Sequence, residues 1–293
     1  MLTDDVAIRH NAVVLFSVPL GQARDATAIR IVGTMAIKMK RRIAMSTLLE
    51  AKELTKIYGK AGHPSLNKVS FRVAEGEFIG IMGASGSGKT TLLNVLSTID
   101  TPTSGDIWIN GVNLKNLNHT SAADFRKDNL GFIFQEYFLL DSLTIRENIS
   151  VPLTLQKLPP KKIENMVRSL AERFGIASQL GKYPHELSGG QRQRASAARA
   201  IVKQPSILFA DEPTGALDSS SATELLNTLY EANRELHTTI LMVTHDAYAA
   251  SFASRILIFK DGCIIKELIK DGNNRRNFYE AIAAEITKLD TER

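Results

Sequence analysis

The chain has little cysteine and no long apolar run. Of its 293 residues only one, Cys263, is a cysteine, so no internal disulfide can form and a reducing compartment is indicated. We interpret Cys263 as a small apolar residue that is buried near a strand. No apolar run approaches the length of a membrane-spanning helix. If the protein acts at a membrane, another chain must supply the span.

Excess positive charge is confined largely to the beginning of the chain. The whole chain has a formal net charge of +5, and residues 1–44 alone contain seven basic and three acidic residues. The high pI therefore describes this first segment and is poor evidence for binding to nucleic acid. We predict that nucleic acid is not a partner.

Residues 1–44 do not have the pattern of a secretory signal. Their apolar stretch, 12–20, is short and follows Asp4 and Asp5, whereas a secretory signal begins with positive charge. The basic cluster 38–42 leaves open a membrane-surface arm. We expect instead that residues 1–44 are an upstream extension that is poorly ordered or not made, and that the folded body is 45–293.

Residues 83–91, GASGSGKTT, fit the pattern of a phosphate-binding loop. Glycines let the backbone turn tightly and bring its N–H groups against an anion, and the following helix points its positive end at that anion. A buried strand at 78–82 and a helix at 91–96 are predicted on either side. The alternative is an ordinary turn rich in glycine and serine. The predicted nucleotide-binding residues here are Gly83, Ser85, Gly86, Ser87, Gly88, Lys89, Thr90 and Thr91; Lys89 adds a charge on the phosphates and the Thr90 hydroxyl is a magnesium ligand.

A second predicted anion site lies about a hundred residues further on. Ser188, Gly189 and Gly190 stand at the N-terminus of a predicted helix, 192–202, which is rich in small residues. One bound nucleotide cannot use both sites of one chain unless the chain folds over or a second copy supplies one of them.

Polar side chains follow three predicted buried strands, 130–134, 207–211 and 239–243. Asp211 ends its strand, where a carboxylate beside a phosphate loop holds magnesium, and Glu212 is placed to orient or deprotonate a water. The alternative for this pair is a surface turn with two acids. His245 and Gln135 also follow strand ends, and His245 can reach the same crevice.

Earlier residues predict a sheet and a base-binding side chain. Two strands are expected, one with Leu49, Ala51 and Leu54 and one in which apolar residues alternate over 69–73. Tyr58, between them, is a candidate to stack on a nucleotide base, a contact worth ~1–3 kcal/mol in nucleic-acid sites. The alternative is a tyrosine that covers a sheet edge. From 136 to about 183 the pattern is helical, with Pro159 and Pro160 opening one helix.

In this order, the motifs resemble those of the nucleotide-binding subunit of an ATP-binding-cassette transporter. The resemblance covers about residues 46–293 and implies an α/β, RecA-like P-loop core, a small antiparallel β subdomain, a helical subdomain at about 136–190 and a C-terminal helix at about 274–290. It also implies a head-to-tail dimer, with ATP between the phosphate loop of one copy and the signature sequence of the other. The resemblance implies these site residues: Tyr58 for adenine; Ser188, Gly189, Gly190 and Gln191 in the signature; Asp218 in the D-loop; Thr90, Gln135 and Asp211 for Mg²⁺; and Lys89, Gln135, Glu212 and His245 for catalysis.

Within this family, the stretch 211–218, DEPTGALD, resembles the lipoprotein-release, macrolide-export and antimicrobial-peptide group. The stretches 131–141 and 271–279 are similar to the Bce, or bacitracin-resistance, type. That resemblance implies an ATPase on the cytoplasmic face of the membrane, a separate permease with ten spans, and often a sensor histidine kinase. A lipoprotein-releasing or cell-division ATPase, and an ATP switch that signals without transport, remain as alternatives.

Overall fold

The structure is a computed structural model that describes residues 46–59, 62–272 and 274–291. The prediction for residues 1–44 lies outside this part of the chain. The strands are β1 (Thr47–Ile57), β2 (Pro64–Ala74), β3 (Phe78–Met82), β4 (Ser104–Ile109), β5 (Val112–Asn113), β6 (Leu130–Ile133), β7 (Ile207–Asp211), β8 (Thr239–Thr244), β9 (Arg255–Lys260) and β10 (Cys263–Ile269). The helices are α1 (Lys89–Leu96), α2 (His119–Asn129), α3 (Ile145–Leu155), α4 (Pro160–Arg173), α5 (Gly189–Ile201), α6 (Ser219–Leu236), α7 (Ala247–Ala250) and α8 (Arg275–Thr291).

The central element is a six-stranded sheet in the order β10-β9-β3-β8-β7-β6. β3 pairs in parallel with β8 and β9, and all five of its residues are buried. A strand covered on both faces needs apolar residues at successive positions. Accordingly, Phe78 and Met82 join one hydrophobic cluster, whereas Ile79 and Ile81 join the other. The predicted buried strand at 78–82 is confirmed.

A second sheet is antiparallel, in the order β2-β1-β4-β5. In β2 the side chains of Val69, Phe71 and Val73 are buried and alternate with exposed residues, as the sequence predicts for a strand with one solvated face. Trp108 lies on β4, and the Lys52 Nζ is 4.6 Å from its ring centroid.

A buried ion pair connects the two sheets. Arg255 at the start of β9 is 4% exposed, and its Nε lies 2.7 Å from Glu77 Oε1. Its Nη2 also donates to the backbone oxygen of Arg72 in β2, at 2.6 Å. Arg255 of the first sheet is thus bonded to β2 of the second sheet, and removal of Glu77 would be costly because it would take a partner from a buried charge.

The helical region differs in part from its prediction. The helical pattern expected from residue 136 is wrong for 136–144, where Tyr137 and Phe138 have φ values of 60° and 45°. The amide of Asn148 donates to three backbone oxygens of residues 140–144 and holds this segment as a turn. Thr144 then caps α3 through a capping box with Glu147, so the helix begins at Ile145.

The fold is therefore α/β, with a mainly parallel core sheet, a separate antiparallel sheet and added helices, as predicted. Within the described residues, no helix has the length and apolar character required to cross a bilayer. Cys263 opens β10 and is only half-buried, so its interpretation as a buried apolar residue is wrong; its thiol lies 3.6 Å from the backbone oxygen of Asn67.

Candidate nucleotide-binding and hydrolysis site

The phosphate loop connects β3 to α1 and is shaped by its glycines. A Cβ on Gly83 would overlap the backbone oxygen of Phe259, and one on Gly88 would overlap that of Ser65. Gly86 and Gly88 also have φ values of 78° and 104°, which side chains disfavour. Packing against β9 therefore requires glycine at position 83, packing against β2 requires it at position 88, and the backbone conformation favours it at position 86.

Lys89 lies across the loop that precedes it. Its Nζ is 2.9 Å from the backbone oxygen of Gly83 and 2.8 Å from that of Ala84. Burial lowers the pKa of Lys89, while the carboxylates of Glu212 and Asp211 oppose that shift. The ammonium group is thus placed beside the loop with two negative groups nearby.

Asp211 is the last residue of β7, and its carboxylate interacts with the charge of Lys89. Its Oδ1 is buried without a hydrogen-bond partner among the described residues. Burial, followed by the charge of Glu212, raises the pKa of Asp211, whereas Lys89 and a hydrogen bond from Thr90 lower it. An unpaired buried carboxylate oxygen is costly, and it indicates that a ligand completes this site.

Glu212 and His245 meet at the ends of β7 and β8. Glu212 Oε2 lies 2.9 Å from His245 Nδ1, and the Glu212 side chain is 19% exposed against 68% for His245. The backbone N–H of Glu212 donates to Val243 at 3.0 Å. Parallel pairing of β7 and β8 brings both residues to one sheet edge, so this contact follows from the topology.

Gln135 follows β6 and faces the same cleft. A Cβ on Gly215 would lie 3.1 Å from both Cδ and Nε2 of Gln135, so the absence of a side chain there leaves room for the glutamine. One cleft of about 800 Å³ is lined by the phosphate loop, Gln135, Glu212 and His245. The structure therefore brings together most of the predicted phosphate-binding and catalytic residues.

The same cleft also has walls that no sequence motif predicts. They are formed by Ser65, by residues 258–261 at the end of β9, and by Ile286 and Leu289 of α8. Gly83 packs against Phe259, but no motif marks this strand. Only the parallel pairing of β3 with β9 reveals it.

Tyr58 is not among the residues that line the cleft. Its hydroxyl lies 2.7 Å from Asp100 Oδ2, and the Lys56 Nζ is 4.8 Å from its ring centroid. The hydrogen bond with Asp100, with a smaller effect of burial, raises the pKa of Tyr58. The side chain is 50% exposed, and its stacking on adenine stays a prediction.

The signature residues form a separate helix terminus. Ser188 is the N-cap of α5 in a capping box: its N–H donates to Gln191 Oε1 at 3.0 Å and its Oγ accepts from the Gln191 N–H at 3.3 Å. A Cβ on Gly190 would overlap the side chain of Ser221. None of residues 188–191 lines the cleft of the phosphate loop.

Asp218 caps the next helix in the same way. Its Oδ1 accepts from the N–H groups of Ser220 and Ser221, each at 3.0 Å, at the start of α6. These bonds, first that from the Ser221 backbone, lower the pKa of Asp218. Like the signature, Asp218 lies outside the cleft, and its proposed contact with nucleotide would need another molecule.

Fold and site together define a nucleotide hydrolase whose phosphate loop connects β3 to α1. The model of the ABC transporter family matches residues 66–215, and the chain belongs to that family. It is 52% identical to the bacitracin export ATP-binding protein BceA of Halalkalibacterium halodurans, over 80% of this chain and 94% of that protein. It is 49% identical to the ABC transporter ATP-binding protein YxdL of Bacillus subtilis, over 84% of this chain and 95% of that protein.

Solved structures agree with this membership. A dimeric ATP-binding cassette, MJ0796, in a post-hydrolysis state bound to ADP and Pi, has a TM-score of 0.71 and 34% identity to this chain. The match covers 76% of this chain and 99% of that one. The chain is accordingly an ATP-binding, ATP-hydrolysing subunit of an ABC transporter.

Proposed function

We propose that this chain drives a transporter that confers resistance to peptide antibiotics such as bacitracin. The observation that carries the proposal is the 52% identity to a bacitracin export ATP-binding protein over nearly its full length. A separate integral-membrane permease supplies the path for the substrate, and this chain lies peripherally on the cytoplasmic face of the membrane. A sensor histidine kinase is a further proposed partner.

In the proposed site, each residue is given a role in binding ATP or Mg²⁺ that suits its position. Backbone N–H groups of the phosphate loop and Lys89 bind the ATP phosphates, and Tyr58 stacks on adenine. Thr90, Gln135 and Asp211 hold Mg²⁺, for which the unpaired buried oxygen of Asp211 is a suitable ligand. No group of three or more acidic, histidine or cysteine residues forms a metal cluster in the described part of the chain. A magnesium ion bound through few protein groups would take waters and phosphate oxygens of the nucleotide as its other ligands.

The hydrolytic step is assigned to Glu212 and His245. Bound Mg²⁺ would supply charge neutralisation at the phosphates. Glu212 orients the attacking water and accepts its proton, while His245, 2.9 Å away, holds the carboxylate and contacts the γ-phosphate. The position of Glu212 supports this role, because its side chain is 19% exposed and lines the cleft of the phosphate loop.

The placement of the two anion sites supports a dimer. Ser188, Gly189, Gly190 and Gln191 lie outside the cleft that contains the phosphate loop, which favours a second copy as the molecule that brings them to the nucleotide. We place ATP between the phosphate loop of one copy and the signature of the other, with Asp218 at the same interface. The ATP-bound dimer closes, and hydrolysis reopens it.

The test is the susceptibility of a strain whose only copy carries Glu212→Gln, exposed to bacitracin and to several lantibiotics. We expect hypersensitivity with otherwise normal growth, because loss of a positioned acid–base group lowers the rate of hydrolysis by ~10²–10⁴. Unchanged susceptibility would contradict the resistance proposal and favour a lipoprotein-releasing or cell-division role. A growth defect without drug would point the same way.

The same variant also tests the dimer. Purified Glu212→Gln should bind ATP and accumulate as a dimer in light scattering, because hydrolysis no longer reopens the interface. The wild-type protein with ADP is the control and should remain monomeric. A variant that stays monomeric with ATP would contradict the placement of nucleotide between two copies.

A further inference from the structure

Helix α5 is attached to the segment around Gln135 by a row of its side chains. Gln193, Ser196 and Arg199 are three residues apart and so lie along one face of the helix. Ser196 Oγ donates to the backbone oxygen of Tyr137 at 2.8 Å. Arg199 donates to the same oxygen at 3.0 Å and to that of Phe138 at 2.6 Å. The turn after Gln135 is therefore held by the helix that begins with the signature.

Gln193 makes the contact that is nearest to the chemistry. Its side chain is 0% exposed, and its Nε2 lies 3.0 Å from the backbone oxygen of Phe134 and 2.6 Å from that of Pro213. Phe134 precedes Gln135, and Pro213 follows Glu212. Only the NH₂ group of a glutamine can face two carbonyl oxygens, so the orientation of this amide is defined. One side chain thus joins the two segments that carry Gln135 and Glu212.

The other end of α5 is in contact with the same turn. The Tyr137 hydroxyl would lie 3.1 Å from a Cβ on Gly189, and the Arg192 guanidinium is 5.1 Å from the Tyr137 ring centroid. The signature glycine, the turn after Gln135 and the segment after Glu212 are therefore packed on one helix. A helix is stiff over this length, so a shift at its N-terminus must be passed to Gln193.

We propose that Gln193 is a positioning residue that couples the two ATP sites of the dimer. The inference rests on the proposed head-to-tail dimer. When Ser188–Gly190 of one copy engages the nucleotide held by the second copy, α5 is set in place. Gln193 then locates Gln135 and Glu212 of its own copy for hydrolysis. Binding at one site thereby prepares the other, which predicts positive cooperativity in ATP.

Gln193→Glu tests this role because it retains the size of the side chain but removes the amide donor. We expect kcat to fall by about 10²-fold, as for a misplacement of about 1 Å in an active site. The Kd for ATP should be unchanged, because the phosphate loop is not touched. The Hill coefficient for ATP should fall from above 1 to about 1. A variant that cannot be purified folded is replaced by Gln193→Met, which is neutral and similar in length.

Asn233→Asp is the matched control. The Asn233 amide also donates to two backbone oxygens, those of Gly76 at 2.9 Å and Thr238 at 2.8 Å, but away from the catalytic segments. We expect this variant to lose stability as Gln193→Glu does and to retain wild-type kcat and cooperativity. Equal losses of kcat in both variants, or a Gln193 variant with unchanged cooperativity, would overturn the proposal. A Glu212→Gln protein that stays monomeric with ATP would instead contradict the dimer. Failure of the Gln193 proposal and failure of the dimer proposal are therefore distinguishable.

Discussion

At the scale of single residues, Asp211 carries an electrostatic conflict, because its burial opposes its charge. Burial raises its pKa, and its Oδ1 has no hydrogen-bond partner within the described residues. A group whose folded-state pKa is raised destabilises the fold when it is charged. The cost is present above the folded-state pKa and disappears as pH falls below the ordinary aspartate pKa of 3.8, which applies in the unfolded chain. The fold tolerates this cost at the position proposed to hold Mg²⁺.

We expect Asp211→Asn to melt at a higher temperature than the wild type at pH 7 without nucleotide or Mg²⁺, because it removes a buried charge. The gain should vanish as pH falls below about 4, where both side chains are neutral. Hydrolysis of ATP should be lost. Thermal unfolding over a pH series measures the first effect, with Asp246→Asn as a control for general acid-to-amide effects. A lower melting temperature for Asp211→Asn at pH 7 would show that Lys89 more than compensates the burial.

At the scale of elements, α5 combines a structural cap with a proposed nucleotide contact at one residue. Ser188 closes a capping box with Gln191, an arrangement that stabilises a helix start whether or not a nucleotide is present. Activity alone therefore cannot separate the two roles of this serine, but substitutions that preserve one role can.

Ser188→Ala should destabilise the monomer by about 0.5–2 kcal/mol through loss of the cap and should also abolish ATP-driven dimerisation. Ser188→Asp restores a good cap, and its charge is favourable at a helix N-terminus. It should recover the melting temperature but not the dimer, since a carboxylate repels the γ-phosphate. Denaturant unfolding and light scattering give the two readouts. Recovery of the dimer by aspartate would contradict the phosphate contact.

Strands and helices could be predicted from the sequence where the apolar pattern was strong. The prediction failed where side-chain hydrogen bonds override that pattern. The buried strands at 78–82, 130–133, 207–211 and 239–244 follow from unbroken apolar runs. The segment 136–144 has a helical pattern in the sequence, yet Asn148 and the cap at Thr144 hold it as a turn. The three carbonyls that this buried amide satisfies are only four to eight residues away, so a local side-chain contact competes with the helix here, and apolar periodicity does not reveal it.

At the scale of the whole molecule, the exposed apolar residues indicate where a partner could bind. From the sequence we expect Tyr137, Phe138 and Leu139, which follow Gln135, to be exposed apolar contacts for the permease. In the structure Tyr137 and Leu139 are half-buried, whereas Phe138 is 56% and Leu140 48% exposed. Phe138 and Leu140 lie on the turn that α5 holds, so a partner at this surface would act directly on the segment of Gln135.

We expect Phe138→Asp with Leu140→Asp to uncouple ATP hydrolysis from resistance, because charges in place of apolar side chains weaken a desolvated interface. The Kd for ATP should not change, and co-purification of the permease should be lost. Ile269→Asp is the control, since Ile269 is 58% exposed on β10, away from this turn. Wild-type resistance in the double variant would exclude this surface as the permease contact.

The residues proposed for the chemistry could be predicted from the amino-acid order alone. Spacing identifies the phosphate loop, and strand ends mark Gln135, Asp211, Glu212 and His245, because ligands of a parallel sheet lie at its carboxyl edge. The contacts of these residues emerge from the folded chain instead: the wall formed by β9, the contact of Glu212 with His245, and the attachment of α5 through Gln193. Such contacts join residues far apart in the chain through buried amides and backbone carbonyls. Every residue has a backbone carbonyl, so sequence patterns cannot say which ones a buried amide will meet.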